Sequence, residues 1–315
     1  VSTNLHFGNL RGVIPPVLTP LTPDGEVDQK SLTRLAGFLL DAGVSGLFAC
    51  GSSAETALLD DAQRETVIGT LVDAAAGRVP VLAGVIDSGT RRVIEHARRA
   101  ERLGADAVVS TAPYYNETHP NEILAHFRSL ASATALPVVA YDIPSTTHTM
   151  LPSTVTAQLA EEKVIVGIKD SSGDMINFRD MVERTRHLEF SVFVGNEMLA
   201  EIGLFLGAHG LVPSLGNVDP HGFVSLYDAA TAGDWESARA AQTRLSALKR
   251  IAEIGDPGRI GIFSALMSGF KTALVHRGVF DHTAVSAPLS ALTEEEQEKV
   301  IAAVETAGLG RVASA

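Results

Sequence analysis

The chain has 315 residues, enough for one domain of roughly 250 residues and an added piece. Hydrophobic residues make up 45% and charged residues 20%, which excludes a disordered chain, and a net charge of −12 without a Lys/Arg cluster excludes a nucleic-acid binder. The one cysteine, Cys50, excludes an internal disulfide, and no apolar run approaches the roughly 20 residues that cross a bilayer.

The opening residues, VSTNLHFGNLRG, lack a basic segment followed by an apolar core. No secretory signal is expected, and the expected compartment is the cytoplasm. Short β-branched runs then recur: Val13–Leu18, Val44–Cys50, Val79–Val85, Ala107–Ser110, Pro137–Tyr141, Val164–Ile168, Phe190–Val194 and Gly210–Val212. Runs that are apolar on both faces are the mark of buried parallel strands. Helical stripes fill the gaps. Leu32, Leu35, Ala36, Leu39 and Leu40 form the first, Val67, Ile68, Leu71, Val72 and Ala75 the second, and Val93, Ile94, Ala97 and Ala100 the third. Gly43, Gly77 and Gly104 stand where a left-handed helix cap is wanted.

Alternation of strand and helix predicts an α/β fold with right-handed crossovers. Eight strand candidates favour a closed (β/α)₈ TIM barrel over a doubly wound sheet. From about Phe223 only helices are expected: Leu226–Ala232, Trp235–Ile254, Ile260–Arg277 and Thr293–Ala307, the last opened by a Thr293/Glu296 capping box. The expected division is residues 1–224 for the barrel and its active site, and 225–315 for a C-terminal helical domain.

In such a barrel the chemistry lies at the C-terminal ends of the strands. Lys169 ends the run VIVGIK, where poor hydration favours a neutral, nucleophilic amine; the bland alternative is a structural lysine paired with Asp170 or Glu197. Tyr141 ends PVVAY and can pass protons, or make one hydrogen bond at the rim. Gly51, Ser52 and Ser53 follow the second strand, where backbone N–H groups and two hydroxyls can cup a carboxylate, although Gly-Ser-Ser also marks any loop. Glu55 either starts a helix or orders that loop. Tyr114 and Tyr115 after the fourth strand line a pocket or simply pack. No His-x₃-His or HExxH pattern occurs, so no metal is expected.

Taken together and in order, GVIPPVLTP, GSSAE, PYYN, YDIPS, GIKDSSG and VGNE make the chain resemble the dihydrodipicolinate synthase / N-acetylneuraminate lyase family, from about Gly12 to Leu309. The resemblance implies a class I, pyruvate-dependent aldolase that needs no cofactor. Lys169 would form the imine with the 2-keto carbon and Tyr141 would be the general acid/base. Ser52 and Ser53 would take the hydroxyl positions of the carboxylate loop, with Ser53 joining the proton relay. Tyr115 would reach across a dimer interface to complete that relay, and the Val212 carbonyl would face pyruvate. A homo-oligomer is implied, a dimer or a homotetramer.

Three departures bear on the substrate. Thr146 stands where true dihydrodipicolinate synthases carry an arginine, and no Lys or Arg lies between Arg128 and Lys163. Ala54 replaces a loop glycine, and Asp142 replaces an asparagine. The IPP start and the GS-x-x-E loop are closer to members acting on 2-keto-3-deoxy sugar acids. A hydroxylated substrate would then suit the polar neutral groups of Thr146, Thr147, Asn196 and Ser214, with His148 and Glu197 near the mouth, and these would be specificity residues by position.

The reading is a Schiff-base lyase that cleaves such an acid or condenses pyruvate with an aldehyde. Three alternatives compete with it. They are a dehydratase using the same lysine, a dihydrodipicolinate synthase-like condensation, and a non-catalytic keto-acid-binding protein. Product analysis separates the first two, and turnover separates the last.

Overall fold

The computed structural model describes residues 9–312. The first eight residues of the segment read for a secretory signal lie outside the described residues, as do the outer ends of the two expected domains.

The elements in chain order are β1 (Gly12–Val13), α1 (Gln29–Asp41), β2 (Leu47–Ala49), α2 (Asp61–Ala75), β3 (Val81–Gly84), α3 (Thr90–Arg102), β4 (Ala107–Thr111) and α4 (Pro120–Ala131). The second half brings β5 (Val138–Asp142), α5 (Pro144–Thr147), α6 (Ser153–Glu161), β6 (Gly167–Asp170), α7 (Met175–Thr185), β7 (Ser191–Val194), α8 (Ala200–Phe205) and β8 (Gly210–Leu211). The helices α9 (Pro220–Thr231), α10 (Trp235–Leu248), α11 (Ile262–His276) and α12 (Glu294–Thr306) close the chain.

Each of the eight expected runs forms a strand, and every pairing is parallel, in the order β1-β8-β7-β6-β5-β4-β3-β2. The expected closed barrel is corrected at one seam. Between β1 and β2 there is no ladder, only a bridge between Pro16 and Phe48. The sheet is therefore a curled, open half-barrel. The cause is local: beyond Val13 the expected strand runs into Pro15 and Pro16, which have no N–H to give a ladder. Backbone contact across the seam falls to hydrogen bonds such as Val17 N to Phe48 O, 2.8 Å, and Phe48 N to Pro15 O, 3.0 Å.

Two apolar layers hold the curl. The inner one is small and includes Ile14, Phe48, Leu82, Val109, Val139, Tyr141, Phe193 and Val212, drawn from successive strands. The outer one lies between strands and helices. It uses the helical stripes read from the sequence and continues into Leu245, Phe270 and Val300 of α10, α11 and α12. Gly43, Gly77 and Gly104 take the positive φ expected of helix ends. The Thr293/Glu296 capping box also forms, at the start of α12.

That cap gives a direct test. Thr293→Ala should lower unfolding free energy by about 1 kcal/mol, read from the urea midpoint at unchanged slope.

Candidate active site

The strand register gathers the chemistry at one end of the sheet. Tyr141 on β5 lies opposite Lys169 on β6, with Thr111 and Phe193 on the flanking strands. Lys169 is 5% exposed. Its Nζ lies 4.0 Å from the centre of the Tyr141 ring and 5.3 Å from that of Phe48. The structural alternative for this lysine fails, because among the described residues it has no carboxylate partner. Asp170 Oδ1 instead accepts from the backbone N–H and the hydroxyl of Ser172, and Glu197 is bound to Lys249. An amine without a counter-ion, against two aromatic faces, is suited to nucleophilic use.

Gly195 was missed as a site residue, although it lies in the VGNE stretch. A Cβ there would stand 2.7 Å from Lys169 Cε and 2.0 Å from Ser171 Oγ. Only a glycine leaves the lysine its path into the cavity.

The loop after β2 turns through a short 3₁₀ helix, Ser52–Ala54. Ser52 Oγ lies 3.4 Å from the Tyr141 hydroxyl. It is Ser52, and not the Ser53 expected from the resemblance, that makes this hydrogen-bond contact with Tyr141. Both serines line the cavity, whereas Gly51 does not; its missing Cβ makes room for the Phe48 ring. Ala54, which stands in place of a loop glycine, takes no positive φ; the left-handed residue of the loop is Glu55, at φ +60°.

Glu55 is held in that conformation by its partners. Its Oε1 lies 2.5 Å from Nζ of Lys271 on α11, and both side chains have zero exposure. Its Oε2 accepts from the Ser286 N–H at 2.6 Å, while Lys271 also donates to the Ala284 carbonyl at 2.8 Å. Burial pulls the Lys271 ammonium below the usual lysine range, and Glu55 opposes that pull.

The open cavity above Lys169 has a volume of about 270 Å³. Ser52, Ser53, Tyr141 and Val212 line it, as do Thr146, Asn196, Glu197 and Ser214. Lys249, which the sequence did not mark, lines it too; it lay inside the expected helix Trp235–Ile254, where a lysine carries no distinguishing signal. Asn196 Oδ1 accepts from the Met198 N–H, so part of its capacity is used within the chain. Thr147 is turned inward, donating to the carbonyls of Ile143 and Thr149, and neither it nor His148 lines this cavity. Tyr115 stands apart, 91% exposed at φ +83°, and does not line it either. A second, mostly apolar cavity of about 390 Å³ adjoins the first, sharing Ser52 and Thr146 and including Thr111 and Tyr114.

Asp142 and Asp170, one position beyond Tyr141 and Lys169, face each other in register on adjacent strands. Both are buried, and one oxygen of each has no hydrogen-bond partner. Burial raises the Asp142 carboxyl to about 7, with the Asp170 charge adding to the rise and the Leu151 N–H opposing it. Burial raises Asp170 as well.

The geometry has a family setting. The model of the dihydrodipicolinate synthetase family matches residues 9–307. The chain is 35% identical over 300 residues to an uncharacterized DapA-like lyase of Halobacterium salinarum, with 95% of each chain covered. It is 33% identical over 301 residues to the 4-hydroxy-tetrahydrodipicolinate synthase of Laribacter hongkongensis, covering 95% of this chain and 99% of the synthase. Among solved structures, it is similar to YagE, a prophage protein of the dihydrodipicolinic acid synthase family from E. coli K12, in complex with pyruvate. There the TM-score is 0.88 at 29% identity, over 95% of this chain and 99% of YagE.

Two outcomes are expected of the buried charges. Lys271→Met strands Glu55 uncompensated and should cost about 3–5 kcal/mol in urea unfolding. For Asp142 the folded carboxyl, at about 7, lies above the unfolded value of 3.8, so folding takes up a proton between them. Stability contributed by the protonated form is complete below pH 3.8 and drains away as pH rises through 7. Asp142→Asn should therefore raise the melting temperature at pH 8, by about 2–4 °C per kcal/mol regained, and leave it nearly unchanged at pH 4.

Proposed function

On the premise that this chain belongs to the dihydrodipicolinate synthetase family and is a lyase-type enzyme, we propose that it binds pyruvate as an imine on Lys169 and joins it to, or releases it from, an aldehyde. The observation that carries the reading is the buried Lys169 amine, 4.0 Å from the Tyr141 ring and without a carboxylate partner. The amine adds to the 2-keto carbon, and loss of water leaves the imine. Once protonated, the imine draws electrons from C3, a C3 proton leaves, and the enamine forms a carbon–carbon bond with the aldehyde carbon. The new alkoxide takes up a proton, and water then frees the lysine. In the cleavage direction the same steps run backwards.

Tyr141 is the proposed proton carrier, with Ser52 3.4 Å away as its relay partner. Ser52 and Ser53 are proposed to hold the keto-acid carboxylate, and the Val212 carbonyl to face it. Tyr115 is proposed to act from a second copy of the chain, which suits an exposed tyrosine held at positive φ next in sequence to Tyr114, a residue of the apolar cavity wall. On this proposal the active unit is at least a dimer.

The named relatives favour condensation of the dihydrodipicolinate synthase type over the sugar-acid chemistry expected from the sequence, since neither of those quoted is named for a sugar acid. One observation keeps the second reading in play. Thr146, Asn196 and Ser214 give the cavity wall neutral polar groups that suit hydroxyls.

Borohydride reduction in the presence of pyruvate, followed by peptide mass spectrometry, is the test. A reduced adduct is expected on the Lys169 peptide. It should vanish in Lys169→Ala along with turnover, by at least about 10³-fold if the imine is obligatory. A Lys169→Ala variant with full turnover overturns the reading.

A further inference from the structure

We propose that the apolar cavity beside the Lys169 site receives the tail of the second substrate, so that the acceptor is an aldehyde bearing an apolar group about the size of a ring. The inference rests on the Lys169 imine proposed above and adds to it the chemical class of the aldehyde.

The two cavities share a wall. Ser52, Ile143, Ser145, Thr146 and Phe263 line both, so a substituent on C3 of the bound keto acid has the second cavity as its neighbour. That cavity, of about 390 Å³, falls within the range of small-molecule sites, roughly 300–1,000 Å³. Beyond the shared wall it is bounded by Leu58, Ile86, Tyr114, Pro288 and Leu289. These come from the loops after β2, β3 and β4 and from the stretch between α11 and α12.

The polar groups of this wall are engaged elsewhere. Among the described residues that line it there is no Lys, Arg or His, so it offers a carboxylate no cation. Its one carboxylate, Glu55, has no exposed side-chain surface and is bound by Lys271 and the Ser286 N–H. The Thr147 hydroxyl donates to the carbonyls of Ile143 and Thr149, and the hydroxyl oxygens of Thr56 and Thr111 are themselves buried. A tail rich in hydroxyls would give up its water here and find few partners, whereas an apolar tail gains by leaving water.

Phe263, in the first turn of α11, stands at the junction of the two cavities and is 37% exposed. Thr146 stands at the same junction without a charge. On this assignment the oxygen of the aldehyde carbon stays in the first cavity, with Asn196 and Ser214 on its wall, and only the group beyond that carbon enters the second.

The test uses probes that share the keto-acid head and cannot be cleaved. 2-Oxo-4-phenylbutanoate ends in a phenyl ring and lacks the C4 hydroxyl that cleavage requires; 2-oxopentanoate has a methyl in place of the ring. The concentration for half-maximal borohydride trapping is measured for each. The wild type should favour the phenyl probe by about tenfold or more. Leu289→Asp, which puts a charge into the second cavity, should bring the two probes within about twofold of each other, whereas Leu289→Met should keep the preference. Equal trapping of the two probes by the wild type overturns the proposal without any variant having to fold. If Tyr115→Ala then creates the preference, the cavity belongs to a tyrosine of a second copy and not to substrate. A Leu289→Asp protein that keeps the full preference also overturns the proposal, because the ring then lies elsewhere. Absence of any adduct with pyruvate strikes the Lys169 reading instead, so the two failures are told apart.

Discussion

The buried pair of Glu55 and Lys271 is the constraint on which the site depends. A carboxylate and an ammonium with no exposure are each costly to bury, and they persist because each satisfies the other and a backbone group besides. The pair joins distant parts of the chain. Glu55 ends the turn that carries Ser52 and Ser53, and Lys271 belongs to a helix near the C-terminus. Holding Glu55 at positive φ fixes the direction in which the turn leaves β2, and that direction sets Ser52 against Tyr141. The C-terminal helices accordingly help to shape the cavity, since they supply the anchor for one wall and Lys249 in another.

Much of this was legible in the sequence, for reasons that can be named. A parallel sheet buried on both faces leaves continuous apolar runs, so all eight strands announced themselves, and the polar residue ending each run marked the site end. Lys169 and Tyr141 stood out because a lysine or tyrosine closing such a run is out of keeping with its neighbours. The seam between β1 and β2 was legible too, in Pro15 and Pro16, but the apolar run around them hid the missing donors.

What the sequence concealed was tertiary. Nothing local distinguishes Ser52 from Ser53; the choice depends on where a 3₁₀ turn aims its first side chain. Lys249 and Lys271 sit in segments that read as ordinary helix, and their partners are carboxylates 52 and 216 positions away along the chain, Glu197 and Glu55. Glu197 was picked out for its place in the cavity, but its bonds to Lys249, Ser214 and Leu215 were not legible, because a motif shows which residue is present and not which of its lone pairs are already engaged.

Asp142 and Asp170 illustrate the cost of crowding function onto adjacent strand ends. The residues that put Tyr141 and Lys169 in the cavity necessarily put their successors one step further along, facing each other in the same register. With buried carboxylates in both positions, keeping Asp142 protonated is the cheaper state near neutral pH, and the backbone N–H groups of Leu151 and Ser172 stabilise only part of the charge. An asparagine at the first position would remove the conflict. Asp142 in its place makes the strand ends beside Lys169 sensitive to protonation near neutral pH, so the packing that aims Lys169 and the protonation state of its neighbours are physically one problem.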